Sequence, residues 1–216
     1  MRVLVLTGGD INLSWANEFI QKRNYETIIA ADRGLEAADA LNLKVNLLVG
    51  DFDSVKKEVL EKYSDVETRK FPEEKDDTDT EIALRAALEY KSESGPFHIE
   101  IIGGFGSRMD HVLTNLNILK IGVDAGVDVR LYDKYNCIYL RNKPFAIRVE
   151  HRYGDFVSFV PYTDSVVMSL AGFKYPLALQ EIKKGDSLLQ SNVITGRDGI
   201  VDIQKGILVC CEAKEI

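Results

Sequence analysis

Along the first 130 or so residues, short apolar runs alternate with stretches that repeat apolar positions every three to four residues. Val3–Leu6, Thr27–Ala31, Val45–Val49, Val66–Phe71, His98–Ile102 and Val127–Tyr132 have the length of buried strands. Between them lie Asn12–Gln21, Gly34–Ala40, Val55–Tyr63, Thr78–Lys91 and Arg108–Val123, several with helical spacing, Ala83, Leu84, Ala87 and Leu88 sharing one face of the fourth. Alternation of this kind predicts α/β architecture: a Rossmann-like, mostly parallel sheet with helices on both faces.

Near residue 135 the pattern changes. Helical spacing stops, and β-type runs recur at Cys137–Leu140, Ala146–Glu150, Phe156–Pro161, Ser165–Leu170, Leu188–Ile194 and Ile207–Cys211, with turn signals between them. This predicts a small all-β sandwich and a division into residues 1–135 and 136–216.

Composition narrows the chemistry. A net charge of −7 argues against binding nucleic acid or an anionic membrane through the whole surface. Cys137, Cys210 and Cys211 lack metal-ligand spacing and read as reduced thiols, and the short apolar start suits neither a signal peptide nor a membrane span. A soluble cytoplasmic protein is expected.

The candidate chemistry gathers where strands are predicted to end. Val49-Gly50-Asp51-Phe52-Asp53-Ser54 places two aspartates two residues apart after an apolar run, on one side if the backbone is extended, with Ser54 read as the cap of a helix opening at Val55. Carboxylates so close repel unless a cation lies between them, and Mg²⁺ with a phosphate substrate is the usual one. Asp32, in Ala31-Asp32-Arg33-Gly34, falls at the same predicted sheet edge, as do Asp76 and Asp79 in Lys75-Asp76-Asp77-Thr78-Asp79. Leu6-Thr7-Gly8-Gly9 suits close approach of backbone N–H groups to a phosphate. In Gly103-Gly104-Phe105-Gly106-Ser107-Arg108-Met109-Asp110-His111, glycines end a strand and open a helix on which Arg108, His111 and Asn115 share a face. Met109, Val112, Leu113 and Leu116 are expected on its buried side. Each feature alone also suits an ordinary turn or cap; their convergence on one edge favours an anion and metal site.

Taken in order, Asp32-Arg33-Gly34, Gly50-Asp51-Phe52-Asp53-Ser54, Lys75-Asp76-x-Thr78-Asp79 and Gly103-x-x-Gly106-x-Arg108-x-Asp110-His111 resemble the thiamine pyrophosphokinase family. Gly172-Phe173-Lys174-Tyr175-Pro176-Leu177 and Ser191-Asn192 resemble that family's thiamine-side motifs, so the likeness spans nearly the whole chain. The resemblance implies transfer of the pyrophosphoryl group of ATP to thiamine with Mg²⁺, giving thiamine diphosphate and AMP. It also implies an α/β domain for ATP and Mg²⁺ and a β-sandwich for thiamine and dimerisation, in a homodimer with the active site at the subunit interface. Carried over by position, Asp51, Asp53 and Asp79 hold the metal, while Asp32 or Asp76 orients or deprotonates the hydroxyl. Gly9, Gly103, Gly104, Arg108, Asp110, His111 and Asn115 serve ATP, and Ser191 and Asn192 serve thiamine. The sequence departs from the family after Asn192, where Val193-Ile194-Thr195-Gly196 replaces a Glu-containing continuation, and no tryptophan follows Trp15. Stacking on thiamine therefore falls to Phe173, Tyr175 or another residue. Rival readings are a pyrophosphokinase for a pterin alcohol, a Mg²⁺-dependent phosphohydrolase and a non-catalytic nucleotide-binding protein.

Overall fold

The computed structural model describes residues 1–71, 77–92 and 95–215, which fall into two compact units, Met1–Lys134 and Tyr135–Ile216. In the first, β1 (Arg2–Leu6), α1 (Leu13–Gln21), β2 (Thr27–Ala31), α2 (Gly34–Ala40), β3 (Leu47–Val49) and α3 (Lys57–Lys62) follow one another. The unit continues through β4 (Glu67–Arg69), α4 (Asp79–Leu88), β5 (His98–Ile102), α5 (Met109–Ala125) and β6 (Asp128–Tyr132). All its strands run parallel, in the order β4-β3-β2-β1-β5-β6. Val3, Leu4, Val5 and Leu6 of β1 are all fully buried, as a strand covered on both faces requires.

The chain steps outward from β1 through β2, β3 and β4, then returns to place β5 on the other side of β1. That reversal makes the β1/β5 junction the switch point of the sheet, where the loops leaving two adjacent strands diverge and open a crevice.

Helix ends follow local chemistry. Asn12 caps α1, its Oδ1 accepting from Trp15 N–H at 3.0 Å, and the Trp15 ring packs 5.0 Å from Phe19 as a helix-face residue. Thr78 caps α4, its Oγ accepting from Glu81 N–H at 3.2 Å. Ser54 does not cap α3. The helix begins at Lys57 after a turn closed by Val55 N–H to Phe52 O, and its N-cap, Lys56, makes no side-chain cap bond.

Helix α5 corrects a second expectation. Val112 is buried, but Met109 and Leu113 are 61% and 57% exposed; the buried face runs through Val112, Asn115, Ile118, Leu119 and Gly122. Gly122 explains the rotation, since a Cβ there would lie 2.3 Å from Val129 Cγ2: the helix closes on β6 where it has no side chain. Among the described residues no helix is long and apolar enough to cross a membrane.

The second unit is antiparallel. It comprises β7 (Asn136–Arg141), β8 (Phe145–Arg148), a 3-10 turn at Val149–His151, β9 (Phe156–Pro161), β10 (Ser165–Ala171), β11 (Leu177–Lys183), β12 (Asp198–Lys205) and β13 (Leu208–Ala213). One layer pairs β7, β13 and β9; the other runs β11-β10-β12-β8. Phe159 of β9 meets Phe173 edge-on, ring centres 5.8 Å apart, joining the layers. Three segments differ from expectation. Leu188–Ile194 is not a strand and makes only the isolated bridges Val157↔Asn192 and Phe173↔Ile194, whereas Leu177–Lys183 and Asp198–Lys205 are strands. Gly199 reads as a turn residue, yet it lies in β12 because the Phe173 ring fills its Cβ position, 2.5 Å from Phe173 Cζ.

Candidate active site

At the β1/β5 junction the two loops are bonded to each other. Thr7 N–H donates to Ile102 O at 2.9 Å, Gly9 N–H to Gly103 O at 2.8 Å, and Asp10 N–H to Phe105 O at 2.9 Å. A Cβ on Gly9 would lie 2.1 Å from Gly103 O and 2.3 Å from Phe105 O, and Gly103 itself takes φ +88°. The paired glycine therefore serves loop-to-loop approach. Because its N–H is bonded to Gly103, Gly9 shapes the wall and does not offer that N–H to a phosphate.

These loops wall a cleft of about 480 Å³, lined also by Asp10, Asp32, Arg33, Thr78, Asp79, Gly103, Gly104, Arg108, His111 and Asn115. Asn115 is buried and donates from Nδ2 to Gly104 O at 2.8 Å, holding the glycine loop against α5. Arg108 stands at the N-terminus of α5, exposed, its guanidinium 2.6 Å from the Asp110 carboxylate. Asp110 is exposed beside it and does not line the cleft. That ion pair holds the Asp110 carboxyl below the usual range.

The acids come together through turns. Asp32 takes φ +43°, Phe52 φ +61° and Gly50 φ +136°, so Asp51 and Asp53 lie on a tight turn and not on extended backbone. Asp51 Oδ1 accepts from Asp53 N–H at 3.2 Å, and Phe52 is buried beneath. Oxygens of Asp32, Asp51 and Asp53 all fall within 4.8 Å of one another. Asp79 is not in that trio; it sits on the cleft wall at the start of α4. Burial pushes the Asp32 carboxyl above its ordinary range, with the charges of Asp79 and Asp51 adding to it. Hydrogen bonds from the Arg33 N–H and the Ser54 hydroxyl, the latter at 3.3–3.4 Å, act the other way. Three convergent carboxylates, all hard oxygen donors, suit Mg²⁺, and such a cation would relieve the charge that burial and proximity impose.

Asp32, Asp79, Gly9, Gly103, Gly104, Arg108, His111 and Asn115 thus share one cleft, and Asp51 and Asp53 join it through Asp32. Asp76 lies outside the described residues. Ser191 and Asn192 are in the second unit, Ser191 exposed at φ +53° and Asn192 buried. Sequence reasoning missed Ser54 as a partner of Asp32, and missed Asp10, Arg33 and Thr78 as lining residues. Asp10 and Arg33 each adjoin a motif glycine, which was the available signal.

Two family models match the chain: "Thiamin pyrophosphokinase, catalytic domain" over residues 20–131 and "Thiamin pyrophosphokinase, vitamin B1 binding domain" over residues 145–208. The thiamine pyrophosphokinase of Bacillus subtilis (strain 168) is 33% identical over 188 residues, 85% of this chain and 81% of that protein. Among solved structures, a thiamine pyrophosphokinase from Bacillus subtilis superposes with a TM-score of 0.87 at 26% identity, each chain fully covered. One from Geobacillus thermodenitrificans gives 0.85 at 25% identity, covering 100% of this chain and 98% of that one.

Proposed function

Since the chain belongs to the thiamin pyrophosphokinase family, we propose a division of its reaction between the two units. The enzyme is an ATP-dependent diphosphotransferase that moves the pyrophosphoryl group of ATP to the hydroxyl of thiamine, yielding thiamine diphosphate and AMP. The first unit receives ATP and the second receives thiamine. The observation that carries this is the Asp32/Asp51/Asp53 trio at the lip of a glycine-walled cleft that also presents Arg108 at a helix N-terminus.

In this reading Asp51 and Asp53, with Asp32 beside them and Asp79 on the cleft wall, hold Mg²⁺. When bound, the cation would neutralise charge on the transferred pyrophosphoryl group and on the α-phosphate of the leaving AMP. Arg108 turns its guanidinium from Asp110 to phosphate oxygens, a fork that suits them, with His111 alongside. Asn115 acts through Gly104, keeping the loop at the right depth. The hydroxyl oxygen of thiamine attacks the β-phosphorus as the bond to the bridging α–β oxygen breaks, AMP departs, and the hydroxyl proton passes to a carboxylate. Asp32, at the edge of the trio and on the cleft wall, is placed to orient that hydroxyl. Positioning and charge neutralisation supply most of the rate.

On the thiamine side, Phe173 is 4% exposed and packed on Phe159, which leaves Tyr175, 58% exposed, as the aromatic face for a cationic heterocycle. Ser191, exposed on its turn, offers a hydroxyl to the pyrimidine. A homodimer with the active site at the subunit interface completes the reading, supported by the solvent-facing Met109 and Leu113 on α5. So does a cytoplasmic location, which suits a metabolic enzyme acting on ATP.

Incubation with ATP, Mg²⁺ and thiamine, followed by chromatography of both products, tests the proposal. AMP and thiamine diphosphate in equal amounts, lost on chelation of Mg²⁺, are expected. ADP with thiamine monophosphate, or turnover unaffected by chelation, contradicts it.

A further inference from the structure

Asn192 is 2% exposed, and its carboxamide is engaged almost completely by the main chain of another loop. Oδ1 accepts from Tyr175 N–H at 3.0 Å and from Val193 N–H at 3.0 Å, while Nδ2 donates to Tyr175 O at 2.8 Å. The side chain thus bonds both the N–H and the C=O of one residue, as a neighbouring strand would. Its own backbone is fixed as well, exchanging bonds with Val157 at 2.8 and 2.9 Å. Lys174 N–H to Val193 O at 2.7 Å and Thr195 N–H to Gly172 O at 3.0 Å close the two loops on each other. An amide oxygen carrying two N–H donors and an NH₂ with one proton remaining has little left for a ligand.

The residue so clamped is Tyr175, whose side chain stays exposed. It is 58% exposed, and Lys174 Nζ already stands 5.4 Å from the ring centroid, so the face accepts a cation. With both its backbone N–H and C=O tied down, the direction of the Tyr175 Cα–Cβ bond is set before any ligand arrives.

We infer that Asn192 is a positioning residue for thiamine recognition, acting through Tyr175 and not by touching thiamine with its own side chain. The inference rests on the reading above that Tyr175 is the thiamine-facing aromatic. It revises the direct substrate-binding role that the Ser191-Asn192 motif implies for Asn192. The ligand chemistry is that of a flat cationic heterocycle laid on a fixed aromatic face.

A double-mutant cycle decides the matter. Asn192→Ala, Tyr175→Ala and the double variant are compared with wild type in kcat and KM for thiamine at saturating ATP, and in KM for ATP. Asn192→Ala and Tyr175→Ala are each expected to raise the thiamine KM about tenfold, leaving the ATP KM unchanged. In the double variant the loss should equal that of Tyr175→Ala alone within about twofold. If the two losses multiply to about a hundredfold, Asn192 acts independently of Tyr175 and the inference is overturned. If Tyr175→Ala alone leaves the thiamine KM unchanged, the aromatic reading itself falls, and this inference with it; the single variant tells that outcome apart from multiplication. Thermal unfolding establishes that each variant is folded. Should Asn192→Ala not fold, Asn192→Asp keeps the shape and the acceptor while losing the donor to Tyr175 O, and the same cycle is read with it.

Discussion

The two units place polar groups in opposite ways. In the first, the backbone is bent into left-handed conformations at Asp32 and Phe52, and carboxylates are left facing one another and the cleft. In the second, buried Asn192 turns its amide onto neighbouring backbone and leaves an aromatic ring as the exposed feature. The difference fits the proposed division of the substrates between the units. A triphosphate with its cation is met by convergent carboxylate oxygens and a cationic side chain, whereas a cationic heterocycle is met by a rigid surface of the right shape.

The sharpest way to break this comparison is to remove one convergent oxygen. Asp51→Asn should lower kcat by about a hundredfold or more at saturating ATP and thiamine, since it weakens charge neutralisation in the transition state. A kcat near wild type with only a raised KM would show that Asp51 merely assists binding.

Glycine substitutions come next. Gly9→Ala forces a Cβ to within 2.3 Å of two backbone oxygens and should cost roughly 1–3 kcal/mol in urea unfolding, with a raised KM for ATP. Gly196→Ala, whose Cβ meets nothing within 4 Å, should stay within about 0.5 kcal/mol. Equal effects would remove the case for close loop approach at the switch point.

The smallest effect concerns Asp32. Its carboxyl is raised above the ordinary 3.8, so its contribution favours the fold below that value and is lost as pH rises through the folded-state value. At neutral pH the metal-free protein therefore carries a penalty that asparagine does not. Metal-free Asp32→Asn should melt above wild type at pH 7, the gap closing in acid, and should gain less from added Mg²⁺. A lower melting temperature at pH 7 would mean that the Ser54 and Arg33 hydrogen bonds outweigh burial.

Much of the first unit was legible because strand and helix periods differ and its motif residues sit next to glycines. Thr27–Ala31, Gly34–Ala40 and His98–Ile102 are the elements expected, end to end. Turn geometry was not legible. Asp51 and Asp53 converge because Phe52 adopts a positive φ, which no residue pattern announces, and the same turn takes Ser54 from the helix cap to Asp32. The buried face of α5 was misread since it contains Asn115 and Gly122, so apolar spacing pointed elsewhere. In the second unit, β11 buries only Ile182 and shows little strand alternation, while Leu188–Ile194 is apolar enough for a strand yet is held as a loop by Asn192. That a polar side chain can replace strand pairing there is a tertiary fact.

The central claim, that phosphate chemistry belongs to the first unit and acceptor recognition to the second, is tested most directly by two variants measured side by side. Asp53→Asn and Tyr175→Ala are assayed over full ranges of ATP and thiamine. Asp53→Asn should lose kcat by about a hundredfold with the thiamine KM little changed. Tyr175→Ala should keep kcat and raise the thiamine KM about three- to thirtyfold. A crossed result, with Tyr175→Ala collapsing kcat or Asp53→Asn altering only the thiamine KM, would contradict the division.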